Sequence, residues 1–152
     1  MASQAAADSG KTCVEGGHSQ SYETFLPKFY FFYGSLMDAG QLARVLGIRE
    51  NPVTHPASIA GYSCKMWGPY PALVEGPTEG VVQGVAFEVD SQRVATRLAK
   101  YETDAYVEHD CTIRCESGET LSGATFKWRG GADDPRLREG SFNLRQWQSA
   151  RR

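Results

Sequence analysis

Residues 29–40 read FYFFYGSLMDAG. Five consecutive aromatic residues, Phe29 to Tyr33, run straight into a glycine and a serine. An aromatic run of this kind suits a pleated, packed surface and predicts a buried strand. From Asp38 to Leu46 the pattern turns helical. Asp38 with Gln41 three residues on reads as a capping box, and Gly47 as the C-terminal stop. A strand that stops at Gly34 and restarts as a helix leaves backbone N–H groups unused at the helix start. Those groups and the helix dipole favour an anion, and Gly34 lets the backbone approach a ligand closely. The turn lacks the lysine and the spacing of a P-loop, and it is not a dinucleotide fingerprint. A small carboxylate fits it better than a phosphate ester. Strand-Gly-helix turns also occur as plain connections, and at this level both readings stand.

The chain of 152 residues has the length of one domain. At that size about 70% of the unfolded surface is buried, enough for a core without staples. Apolar residues make up 41% and charged residues 22%, with a net charge of −2, so no basic field exists to attract nucleic acid. No segment reaches the roughly 18 to 20 apolar residues of a membrane span. The N-terminus, MASQAAADSGKT, lacks the apolar stretch of a signal peptide. These features predict a cytoplasmic protein with no membrane or nucleic-acid partner; they leave its oligomeric state open.

Residues 1–24 are rich in Ala, Ser, Gly and Gln without period and read as a disordered tail; 25–152 read as the folded domain. The middle, VTHPASIAGYSCKMWGPYPALVEG, gives strand-like pieces broken by prolines. In VVQGVAFEVD, Val81, Val85, Phe87 and Val89 share one parity. Asp90 is expected to cap a helix through about Tyr101, with Val94, Leu98 and Tyr101 as its apolar stripe. YVEHDCTIRC alternates, ATFKW reads as a short strand, and SFNLRQWQ as a final short helix. The class is α+β, strand-rich with two or three helices.

Glu102 follows the second helix at the edge of its apolar stripe, and so points toward the buried side. It also sits at the negative end of the helix dipole. Burial and dipole both disfavour its charged form, so its pKa should rise, as general acid–base chemistry near neutrality requires. The same spacing fits a surface glutamate at a frayed helix end.

Taken together, YGSL (Tyr33–Leu36), YPALVEG (70–76) and VQGVAFEVDSQRVATRLAKYETDAYVEHDCTIRC (82–115) resemble the gamma-glutamylcyclotransferase-like family. The similarity covers about residues 28 to 128 and most resembles the small branch of gamma-glutamylamine cyclotransferases and plant avirulence-induced proteins. The resemblance implies a small mixed β-barrel flanked by helices, with no metal or organic cofactor. It implies that Tyr33, Gly34, Ser35 and Leu36 hold the α-carboxylate and polar groups of a small-molecule gamma-glutamyl substrate. Glu102 matches the family's catalytic glutamate and Tyr106 a pocket tyrosine; Tyr70, with Pro71, would line the pocket mouth. The implied reaction is intramolecular aminolysis of a gamma-glutamyl amide to 5-oxoproline and a free amine.

The chain departs from the pattern in two places. Thr103, followed by Asp104, stands where members often have glycine, and Val107 and Glu108 replace an arginine. Asp104 and Glu108 are expected to raise the Glu102 pKa further. Two other functions remain open: a tailoring enzyme of secondary metabolism acting on another amide, ester or lactone, and a non-catalytic binding module.

Cys13, Cys64, Cys111 and Cys115 read as free thiols. Cys111 and Cys115 are four residues apart on one strand, about 13 Å at 3.3 Å per residue, too far to bond or share a metal. His109 and Cys111 lack the second pair of a zinc site. Trp67, Trp128 and Trp147 read as core or pocket wall.

Overall fold

In the computed structural model, which describes residues 25–150, the aromatic run forms β1 (Lys28–Phe32). The proposed tail, residues 1–24, lies outside the described residues. The chain continues through a 3-10 turn (Ser35–Met37), α1 (Ala39–Leu46), β2 (His55–Ala60), β3 (Tyr62–Trp67), β4 (Tyr70–Glu75) and β5 (Val81–Val89). It then forms α2 (Gln92–Glu102), β6 (Tyr106–Cys115), β7 (Thr120–Trp128) and α3 (Leu144–Ala150). Five strands close a barrel in the order β1-β5-β2-β6-β7, while β3 and β4 pair as a separate two-stranded sheet. The barrel is mixed: β1 runs parallel to β7 and antiparallel to β5, and the other pairs are antiparallel. The class is the α+β small mixed barrel that the resemblance implied.

The barrel explains the all-aromatic strand. Successive side chains of β1 face opposite ways, and both ways are covered. Phe31, with Tyr33 just beyond the strand, joins Ala57, Ile59, Val82, Ala86 and Ile113 in one core cluster, fed from around the barrel. Tyr30 and Phe32 join a second, with Leu42 and Leu46 of α1, Leu98 of α2, and Phe126 and Trp128 of β7. Phe31, Leu42 and Leu98 have no exposed surface.

This double burial corrects the one-parity reading of β5. Val81 is exposed, while Val82 and Ala86 are buried in the first cluster. Val85, Phe87 and Val89 belong to the second, on the helix side. Phe31 and Tyr33 already occupy the first cluster, and β5 contributes only Val82 and Ala86 to it. At Gly84 no side chain fits: a Cβ would lie 2.1 Å from the Phe32 carbonyl oxygen and 2.7 Å from the Phe31 ring.

Asp38 caps α1, its Oδ2 accepting from the Gln41 N–H at 2.8 Å. Gly47 ends the helix in the left-handed region at φ 74°. The cap of α2 is Ser91, not Asp90: the Ser91 hydroxyl accepts from the Val94 N–H at 3.2 Å. Strand β7 is longer than ATFKW, because its first half, weak in strand formers, is held by pairing with β6. No described helix is long and apolar enough to cross a membrane.

Candidate active site

At the end of β1 the chain enters the turn that the sequence marked. A 3-10 turn, Ser35–Met37, intervenes between the strand and α1, and Gly34 precedes it with no side-chain cap. The turn's own bonds run from the Met37 N–H to Gly34 O and from the Asp38 N–H to Ser35 O. Among the described residues, the N–H groups of Ser35 and Leu36 find no acceptor. Both residues line the cavity described below. Gly34 sits close to β4: a Cβ there would lie 3.1 Å from the Pro71 ring, a tight contact.

Glu102 is the last residue of α2. It is partly buried, and its carboxyl makes no hydrogen bond or ion pair among the described residues. Burial pushes its pKa up to about 7, and burial alone accounts for the shift. Glu108, expected to add to it, is occupied elsewhere. It lies on β6 outside the residues that line the cavity described below and receives Lys28 Nζ at 2.6 Å and the Tyr30 hydroxyl at 2.7 Å. Asp104 is exposed and does not contribute to the shift either.

Thr103 follows at φ 65° and ψ −178°, alone among the described non-glycine residues in having positive φ. That region is essentially reserved for glycine and costs about 1–3 kcal/mol for other residues. The departure from the family pattern therefore falls on a position whose backbone asks for glycine.

A cavity of about 310 Å³ lies between these elements. All seven residues singled out from the sequence line it: Tyr33, Gly34, Ser35, Leu36, Tyr70, Glu102 and Tyr106. Several are committed to the scaffold. The Tyr33 hydroxyl donates to Phe126 O at 2.5 Å and accepts from the Leu73 N–H at 3.1 Å, and the Tyr106 hydroxyl donates to Pro71 O at 2.7 Å. Burial is the main reason both phenols are raised, with the Glu102 charge adding to each, which places both near that carboxylate.

The sequence reading missed Tyr101 as a polar member of the site and assigned it only to the apolar stripe. Its hydroxyl lies 2.6 Å from Ser35 Oγ and accepts from Gln41 Nε2 at 3.1 Å, so α2, the turn and α1 are tied together beside Glu102. Its place immediately before Glu102 was the available signal. Trp67 also lines the cavity, while Trp128, behind it, belongs to the core.

Cys64, Cys111 and Cys115 are free thiols. Burial pushes Cys64 up to about 12 and Cys111 up to about 11, the reverse of what a nucleophile needs. His109 Nε2 lies 3.1 Å from the Tyr62 hydroxyl. Among the described residues no group of three or more His, Cys, Asp or Glu could hold a metal ion.

Residues 30–148 match the family described as Gamma-glutamyl cyclotransferase, AIG2-like. Solved structures show the same fold. A protein of Arabidopsis thaliana known from a solution structure is 23% identical at a TM-score of 0.66, covering 86% of this chain and 79% of that one. A mouse AIG2-like protein is 16% identical at 0.57, with coverage of 78% and 90%. The yeast gamma-glutamyl cyclotransferase specific to glutathione is 15% identical at 0.56, with coverage of 74% and 72%. No curated protein matches the sequence. The family match spans most of the chain, and the chain belongs to this family.

Proposed function

We propose that this member of the gamma-glutamyl cyclotransferase, AIG2-like family is an enzyme that cyclises a gamma-glutamyl amide to 5-oxoproline and releases the amine. One observation carries the reading. A desolvated carboxylate, Glu102, shares a cavity with a turn, and among the described residues neither that carboxylate nor the turn's Ser35 and Leu36 N–H groups have a partner.

The chemistry follows from those groups. The α-amine of a gamma-glutamyl amide is an ammonium at neutral pH and cannot attack. A carboxylate with a pKa of about 7 is basic enough to take one of its protons and acidic enough to return it. The freed amine attacks the γ-carbonyl carbon and closes a five-membered ring. The ring nitrogen loses its second proton, the bond from the γ-carbon to the leaving nitrogen breaks, and that nitrogen takes the proton held by Glu102. The second proton passes through solvent as the released amine takes its ammonium form. No water is consumed and no oxidant is needed. Holding the chain folded makes the attack intramolecular, which removes several kcal/mol of barrier. The Ser35 and Leu36 N–H groups serve the α-carboxylate or the developing oxyanion.

The test is direct. The purified protein, incubated with gamma-glutamyl amines and peptides, should release 5-oxoproline from at least one. Tight binding without turnover would make it a binding module. Turnover confined to a non-glutamyl amide, ester or lactone would make it a tailoring enzyme.

A further inference from the structure

The part of the cavity wall supplied by β3, β4 and β6 is aromatic. Trp67 packs against Tyr70 with ring centroids 6.3 Å apart and against Tyr106 at 6.3 Å. All three line the cavity. Trp67 is fixed from behind by Trp128 at 5.0 Å. Tyr70 is 48% exposed, so this wall reaches the mouth, whereas Phe31 and Phe126 close the inner end.

The charge of the lining is as informative as its shape. Among the described residues that line it there is no Lys, Arg or His. Its ionisable carboxylate is Glu102 itself. Arg138, from the segment between β7 and α3, directs its guanidinium onto Gly68 O in the β3–β4 turn at 3.2 Å and is not part of the lining. A leaving group carrying its own carboxylate would bring a second anion beside Glu102, against ring faces that are themselves electron-rich. Nothing in the wall would compensate the lost hydration. At about 310 Å³ the cavity also stands at the small end of ligand sites, which run roughly 300–1,000 Å³.

We propose that the Trp67–Tyr70–Tyr106 wall is a leaving-group subsite for a ring-bearing amine that carries no carboxylate, so that the substrates are gamma-glutamyl arylalkylamides and not gamma-glutamyl amino acids or peptides. The proposal rests on the cyclotransferase reading for its reaction. It adds the chemical class of the group released.

Matched substrates test it. Gamma-glutamylphenethylamide and gamma-glutamylphenylalanine differ by one carboxylate. Gamma-glutamylbutylamide removes the ring, and gamma-glutamylputrescine replaces it with an ammonium. The phenethylamide should exceed each of the others in kcat/KM by at least about tenfold, which is 1.4 kcal/mol. Tyr70→Ala, at an exposed position that folding tolerates, should shrink the preference over the butylamide by severalfold, and Trp67→Ala should shrink it further if the variant folds. Equal or better use of the phenylalanine, butyl or putrescine conjugate would overturn the subsite and leave the cyclotransferase reading standing.

Calorimetric binding of N-acetylphenethylamine and N-acetylphenylalanine separates the two ideas. If no conjugate yields 5-oxoproline, the cyclotransferase reading fails. The subsite then stands only if the neutral amide binds wild-type protein in preference to the acid and loses affinity in Tyr70→Ala. Failure to bind would overturn it too.

Discussion

Two glutamates six residues apart meet opposite fates. Glu102, at the end of α2, is partly buried, has no partner among the described residues, and is pushed up to a pKa of about 7. Glu108, on the outward side of β6, is exposed and held by Lys28 and the Tyr30 hydroxyl. A fold selected for stability alone would pair or expose both, since an unpaired buried carboxylate destabilises it. The contrast supports the proposal that the first is kept for chemistry, and it places the second in the frame. Four experiments can break or sharpen it.

The largest effect should come from Glu102→Gln, which keeps shape and reach but removes the basic oxygen. General acid–base catalysis contributes about 10²- to 10⁴-fold, or roughly 3 to 5 kcal/mol of barrier. Turnover should fall by that factor while substrate binding persists. Retention of more than about a tenth of wild-type turnover would show that Glu102 is not the proton carrier. In the wild-type protein, kcat/KM should decline below about pH 7 as the carboxyl of the free enzyme becomes protonated.

The second effect is on stability, and its sign is set by the direction of the shift. An unfolded glutamate titrates near its ordinary value of about 4.3, whereas folded Glu102 titrates at about 7. Between those values the folded protein holds more protons than the unfolded one, so stability falls as pH rises. The protonated carboxyl's contribution is fully present below about pH 4 and lost once pH passes about 7. At roughly 1.36 kcal/mol per unit of pKa shift, the whole change is at most about 4 kcal/mol, and solvent access to this partly buried carboxyl reduces it. Glu102→Gln should therefore be more stable than wild type at pH 8 by about 1–3 kcal/mol and nearly equal to it at pH 4. Urea unfolding at the two pH values measures this. A wild-type advantage at pH 8 would mean that the carboxylate has a stabilising partner.

How much of this was legible in the sequence depended on range. The YGSL turn, the Asp38 cap, the Gly47 stop and the buried edge of α2 are local patterns, and the chain shows them within a few residues. Even there, Asp90 and Ser91 both suit a cap, and the cap's identity depends on where the backbone turns. The inner face of β5 was misread because a closed barrel buries both sides of a strand, which one-sided alternation does not anticipate. Cavity chemistry set by distant pairings stayed hidden. The Tyr33 hydroxyl is spent on Phe126 O across the barrel. Lys28 and Tyr30 neutralise Glu108 from strand β1, so an acid that looked like a neighbour of Glu102 in sequence is not one in space.

A third test addresses the residue between the two carboxylates. Thr103 holds a backbone conformation costing about 1–3 kcal/mol for a non-glycine residue, while glycine loses roughly 0.5–1 kcal/mol more chain entropy on folding. Thr103→Gly should raise stability by about 1 kcal/mol, seen as a higher urea midpoint at an unchanged slope. The Thr103 hydroxyl accepts only a long bond, 3.3 Å, from the Ala105 N–H, so little is lost with it. An unchanged or lower midpoint would show that the end of α2 relaxes around Thr103 without strain.

The smallest effect is expected where the sequence alone suggested a larger one. Glu108→Gln removes a charge from a pair that is still well exposed, with the two side chains 35% and 40% accessible. Such pairs contribute about 0–1 kcal/mol. The amide oxygen can still accept from the Tyr30 hydroxyl, which now donates at 2.7 Å, so the buried ring keeps its anchor. Glu108 contributes nothing to the raised pKa of Glu102, so the acid limb of the pH–rate profile should not move. Stability should change by less than about 1 kcal/mol and turnover by less than about twofold. A shift of that limb toward lower pH would mean that the Glu108 charge reaches the cavity after all. The division between a working carboxylate and a framework one would then give way to a coupled acidic pair.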